Sequence, residues 1–192
     1  MLKSKLLAII SITLILFSFT ACNTGTKTQD SKEVGSTKNQ LNTVNSNSKL
    51  IDPYSLISKE DAQQLINETL KDPEKTENKV VGLKICFFKP TNQESFKFFQ
   101  VSLSQKAFMS KEVLESGQNP KTIYESTKGF SEKPLMVDGI GDEAFIAPPG
   151  IHILKGDYYI TIAIGNSEME ENRKILKEAG KKAMENLEKA LK

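Results

Sequence analysis

Two cysteines, one histidine and a group of acids around two glycines are the residues of this chain whose types could do chemistry. Cys86 and His152 offer a thiol and a base, the parts of a cysteine nucleophile, which attacks as the thiolate and needs a basic neighbour. Cys86, however, lies mid-run in the alternating stretch from Lys79 to Lys89, between Ile85 and Phe87. A buried thiol in such a run packs as a small apolar residue and is inert. His152 alternates with Ile151 and Ile153, so it points away from them across its strand. One histidine and one free thiol fall short of the three or four ligands of a zinc site, so no metal and no cofactor is expected. The stretch Gly139-Ile140-Gly141-Asp142-Glu143-Ala144 invites a phosphate-loop reading. A phosphate cradle needs its glycine turn to feed a helix N-terminus. Here strand-like Phe145-Ile146-Ala147 follows, so the glycines are expected to serve a tight turn at positive φ. Asp138, Asp142 and Glu143 lack the spaced acidic loop that gives calcium its six to eight oxygens, and a solvated turn is expected.

Cys22 has chemistry of another kind. Lys3 and Lys5 precede a 14-residue apolar stretch, Leu6 to Phe19. That is shorter than the roughly 20 residues a membrane-spanning helix needs and matches the apolar part of a secretory signal, about 7–15 residues. It ends in Phe19-Thr20-Ala21-Cys22, which resembles the lipobox of bacterial lipoproteins, with Phe19 where leucine is usual. The resemblance implies a diacylglyceryl thioether on Cys22 and removal of residues 1–21. It places the chain on the outer face of the bacterial cytoplasmic membrane, with the membrane as a partner through that lipid. Each buried acyl methylene contributes about 0.8 kcal/mol, and a stable anchor takes two chains or an equivalent. With Cys22 lipidated, Cys86 is left alone and forms no internal bridge.

Residues 22–49 carry the lipidated cysteine and a tether rich in Asn, Ser, Thr, Lys and Gln, with Val34, Leu41 and Val44 as its large apolar residues. Such a segment cannot bury enough surface to offset its ordering entropy, and disorder is expected. Without residues 1–21 the chain keeps 24 basic and 24 acidic residues. That balance argues against nucleic acid as a partner and against an electrostatic membrane-surface role.

The elements that must position these residues begin near Leu50, giving one domain over 50–192. Ser58 can cap a helix whose face carries Ala62, Leu65, Ile66 and Leu70, closed by Pro73. Two strands follow. Val81, Leu83, Ile85 and Phe87 alternate in Lys79 to Lys89, and Phe99, Val101 and Leu103 alternate in Ser95 to Ser104. Pro90 to Glu94 suits the loop between them. Short helices are expected from Ser110 to Gly117 and, with Asn119 as cap and Pro120 in first position, to about Gly129. Short strands are expected at 135–137, 143–147, 151–154 and 158–164. A long amphipathic helix over about 168–191 carries Leu176, Ala179, Ala183, Leu187 and Leu191 as its stripe. Helices bracketing a mainly antiparallel sheet make an α+β domain.

Three stretches resemble, in this order, the DUF3558-like small lipoproteins. They are Asp52-Pro53-Tyr54-Ser55-Leu56-Ile57 with Ser58-Lys59-Glu60-Asp61-Ala62, then Cys86-Phe87-Phe88, then Val137-Asp138-Gly139-Ile140-Gly141-Asp142-Glu143-Ala144-Phe145. The resemblance covers about residues 51–191 and implies an α+β domain with no assigned enzymatic activity. Family members usually read Asp-Pro-Cys, that cysteine pairing with the one matching Cys86. Tyr54 stands there in this chain, which leaves stability to the core alone. Phe88, Phe96 and Phe98 fall opposite the clearest alternation and are the candidate binding face, under a helix or lining a groove. The expected function is a non-enzymatic binding or envelope-interaction module. The alternatives are a carrier of small apolar ligands on the phenylalanine-rich face and, less favoured, an envelope hydrolase.

Overall fold

Local chemistry starts the helices. Ser58 accepts from the Asp61 amide (3.1 Å) while the Asp61 carboxylate accepts from the Ser58 amide (3.2 Å), a reciprocal cap that opens α1, Lys59–Ile66. Asn119 and Thr122 make the same exchange at the head of Pro120–Phe130, with Pro120 in the first turn where its missing N–H costs nothing. The computed structural model describes residues 49–192. The signal of residues 1–21, Cys22 and the tether through residue 48 lie outside the described residues.

In chain order the described elements are α1, β1 (Glu74–Asn78), β2 (Leu83–Phe88), β3 (Phe99–Gln105), α2 (Lys111–Glu115), α3 (Pro120–Phe130), β4 (Leu135–Met136), β5 (Glu143–Ala147), β6 (Gly150–Lys155), β7 (Tyr158–Ala163) and α4 (Glu170–Leu191). The strands form one antiparallel sheet in the order β1-β2-β3-β7-β6-β5-β4. This is the α+β architecture expected, with a helix before the sheet and a long one after it.

The register builds the core in rows. Cys86, Val101, Ile162, Ile151 and Ile146 lie side by side across five strands, and Leu103, Ile160, Ile153 and Ala144 form the next row. Onto these rows α4 lays Leu176, Ala179, Ala183 and Leu187, all buried. Its Gly180 lets the helix approach closely, since a Cβ there would stand 3.1 Å from the Ile151 side chain. Lys182 reaches from α4 to Asp61 (2.7 Å), and Asn186 donates to the Leu56 carbonyl (2.9 Å). The opposite face is covered over β5–β7 by α3, where Tyr124, Phe145, Ala147, Leu154 and Tyr159 make a second, smaller core. Among the described residues no helix is long and apolar enough to cross a membrane.

Four expectations need correction. The first helix stops at Asn67, which takes a left-handed φ of 48°, and Leu70 is buried instead by bridging to Pro90. β1 was not expected; its residues Glu74 to Asn78 are polar and exposed, and they are recruited as an edge by pairing with β2. The alternating Leu83, Ile85 and Phe87 are not the core face of β2. Pairing of Cys86 with Val101 and Phe88 with Phe99 turns Cys86 and Phe88 inward, leaving the obvious alternation half-buried outside. Finally, β3 starts at Phe99 rather than Ser95, so Phe96 and Phe98 belong to the preceding loop.

Candidate functional site

The turn read from Gly139 to Glu143 is structural. Gly139 and Gly141 have φ of 75° and 66°, the region that favours glycine. A Cβ on Gly141 would run into the Leu154 carbonyl. Asp142 accepts from the Gly156 amide (2.7 Å) and from Lys155 (2.9 Å), pinning this turn to the β6–β7 hairpin. The Gly156 amide first, and Lys155 second, hold its carboxyl below the usual range. Glu143 pairs with Lys128 of α3, and Asp138 is exposed. Among the described residues no group of three His, Cys, Asp or Glu side chains is placed to hold a metal ion.

Cys86 and His152 sit in rows that face opposite sides of the sheet. The Cys86 thiol is buried beneath Asp52, 3.8 Å from its carboxylate. Burial, then the Asp52 charge, push it up to about 11, so it stays protonated near neutral pH and is no nucleophile. Asp52 is itself committed, accepting from the Tyr54 amide (2.9 Å) and from Lys75 (2.9 Å). His152 is 2% exposed in the smaller core. Its ring stacks on Phe145 with centroids 4.6 Å apart, and Nδ1 lies 2.7 Å from the Tyr159 hydroxyl. Nε2 has no hydrogen-bond partner, nor has the buried hydroxyl of Tyr124. Burial lowers the imidazole pKa. The backbone of Ala147 and Pro148 pulls the other way.

The three phenylalanines expected on one binding face are dispersed. Phe88 is 0% exposed and packs edge-on against Phe99 (6.4 Å) in the main core. Phe98 is half-buried on the outer face beside Phe87 (5.6 Å). Phe96 is 99% exposed in the loop. They do not form a pocket, because β2 and β3 turn opposite members of their alternations inward.

The best-formed concavity lies elsewhere. A groove of about 870 Å³ runs along the β4 edge, between the end of α3 and the start of α4. Its floor is the sheet edge at Ile146 and Ala147 with Pro148 beside them, and Thr127 and Phe130 form the α3 wall. Thr127 and Ser131 each return a hydroxyl to the carbonyl four residues back (2.9 Å), which closes the last turn of α3. Arg173, the chain's single arginine, stands on the α4 side, oriented by donating to the Ser167 carbonyl (2.9 Å). Two exposed large apolar side chains, Phe130 and Leu135, line this groove, and exposed Met136 and Met169 directly follow lining residues in the chain. The register, with the Val137 amide bonded to the Ala144 carbonyl, turns the Met136 N–H and C=O toward the open edge. The opposite edge, β1, carries Glu74, Lys75 and Glu77, the charged protection usual for a free strand.

Sequence reasoning missed this groove. Its lining residues come from separate segments, around 127–135, 146–148 and 167–173, and no periodicity joins them. No protein-family model, curated protein or solved structure matches the chain.

Proposed function

We propose that this chain is a lipid-anchored extracytoplasmic binding module, held on the outer face of the bacterial cytoplasmic membrane through Cys22, with no reaction of its own. The observation that carries the reading is the junction at Ala21-Cys22, where a 14-residue apolar run behind two lysines ends in a lipobox-like sequence. The resemblance to DUF3558-like lipoproteins supports it over the folded part. So do the committed, protonated Cys86 thiol and its separation from His152 on the other face of the sheet, which remove the one nucleophile–base pair the chain offered.

The working surface in this reading is the β4 groove, because clustered exposed apolar side chains beside a concavity mark interaction sites. It lies at the far end of α4 from Lys49, where the described residues begin. Lys49 donates to the Ala190 carbonyl (2.6 Å) near the end of α4, while the groove borders the first turn of α4. The 22 residues of α4 span about 33 Å, which separates the groove from Lys49, and the occupant in this reading is a protein partner. The test is metabolic labelling of the full chain with a clickable fatty acid, followed by membrane fractionation. Label in the membrane-bound wild type and its loss, with release or accumulation of precursor, in Cys22→Ser is the expected result. An unlabelled wild type, or membrane association unchanged in Cys22→Ser, would overturn the reading.

A further inference from the structure

We propose that His152 is an acid-responsive latch beneath α3, whose protonation loosens α3 from the sheet and reshapes the β4 groove. The geometry links three things that meet at one ring. His152 is the chain's single histidine and lies opposite Phe145 on β5 and Thr161 on β7. Tyr124 of α3 packs on both ring partners of His152, 5.2 Å from Phe145 and 5.6 Å from Tyr159. The imidazole is therefore part of the surface on which α3 is seated. The backbone of Ala147 and Pro148 acts on the ring, and the same two residues line the groove together with Thr127 of α3.

The proton inventory makes this arrangement sensitive. Nδ1 and the Tyr159 hydroxyl share one hydrogen, whose donor depends on the tautomer; in the tautomer protonated on Nε2 the hydroxyl donates to Nδ1. An imidazolium carries hydrogens on both nitrogens, so Nδ1 must donate and the Tyr159 hydroxyl must turn its own hydrogen away, toward the seam with Tyr124. The charged groups around the ring give it no counter-ion. From β5 the ring meets Phe145, with Glu143 two residues away and bound to Lys128 of α3. From β7 it meets the Tyr159 ring and lies opposite Thr161, α3 reaches it through Tyr124, which packs on Phe145 and Tyr159, and from the β5–β6 turn the backbone of Ala147 and Pro148 acts on it. Among the described residues no charged side chain is bonded to the ring, and burial is the largest influence on it. A charge placed there is stabilised by moving the carbonyls onto Nε2 or by admitting water under α3. Either movement alters the groove wall.

Because the chain has one histidine, its ring can be read without assignment. The experiment uses the full chain without a histidine tag, in mild detergent and labelled at histidine Cε1. The ring signal is followed by NMR while amide exchange of residues 120–130 and 170–191 is followed over the same pH range and corrected for intrinsic exchange. The expected result is a ring midpoint below the unperturbed value of about 6.5, with protection of 120–130 falling as pH drops from that value through the ring midpoint, by up to about 10-fold per pH unit between the two, and α4 unchanged. In His152→Phe that response of 120–130 disappears. Tyr159→Phe keeps the ring but removes its hydroxyl partner, and it moves both midpoints together, which tests the latch even where the first variant folds poorly. A ring that titrates with no change in α3, or an α3 response that survives in His152→Phe or fails to follow the ring in Tyr159→Phe, overturns the proposal.

Discussion

Replacing Gln105 by methionine tests how the start of the domain is fastened. Gln105 ends β3, is fully buried, and uses both ends of its side-chain amide on one residue: Oε1 accepts from the Ile51 amide and Nε2 donates to the Ile51 carbonyl, each at 2.8 Å. The pair substitutes for a strand ladder where the chain enters the core, next to the Tyr158 hydroxyl bonded to the Lys49 carbonyl (2.6 Å). Methionine keeps the volume and leaves two buried backbone groups without partners, each worth about 1–3 kcal/mol. The entering strap can peel partly into water, which limits the loss to about 2–4 kcal/mol, or a fall in Tm of very roughly 10 °C for a domain this size. Urea unfolding of the full chain, followed by far-UV circular dichroism, measures it. Gln105→Glu adds a sign test. A carboxylate there accepts from Ile51 but cannot donate, and burial raises its folded pKa above the unfolded value of about 4.3. Its contribution is therefore present at low pH and lost as pH rises through the folded pKa, making it worse than Gln105→Met at neutral pH and better near pH 4, each relative to wild type at the same pH. A loss under about 1 kcal/mol for Gln105→Met would refute the reasoning that these two bonds fasten the segment.

Other predictions follow from the same structure. Leu187→Ala on α4 empties a fully buried site in the main core and is expected to cost about 2–5 kcal/mol in the same urea assay. The Cys86 thiol, held near 11, is expected to react with iodoacetamide on the order of 100-fold or more slowly than a free thiol of pKa about 8.5 at slightly alkaline pH, and at the ordinary rate once urea unfolds the chain. Asp142→Asn should cost less than about 1 kcal/mol at neutral pH, since the Lys155 pair is largely solvent-exposed. Because its folded pKa is lowered, the wild-type advantage is present above the unfolded value of about 3.9 and fades as pH falls through the folded pKa. An advantage that grows on acidification would contradict the hydrogen bond from Gly156.

The parts of this fold that were legible in the sequence are those where one segment decides its own fate. Asn119-Pro120 announces a helix because cap and first-turn proline act locally, and Tyr158, Ile160 and Ile162 announce a buried strand face because their alternation has no rival. β2 misled because both its faces are apolar; only pairing with β3 decides that Phe88 goes inward and Phe87 outward. β1 carried no apolar signal, since an outermost strand can be all polar and still pair through its backbone. Leu70 sits at helical spacing from Ile66, yet Asn67 ends the helix and a tertiary bridge buries the leucine. The groove is the extreme case: Phe130, Leu135, Ile146 and Arg173, far apart in the sequence, line it together through the fold alone. His152 points away from Ile151 and Ile153 as its alternation implies, but that its Nε2 is left unpartnered is set by the packing of the smaller core, which the sequence does not show.

The account rests on an acylated Cys22, and the intact mass of the full chain recovered from the membranes of a lipoprotein-processing bacterium tests it most directly. The account predicts a product lacking residues 1–21 and heavier than the bare polypeptide from Cys22 by at least a diacylglyceryl group. A product that begins at Cys22 with a free thiol, or that retains residues 1–21, would contradict it.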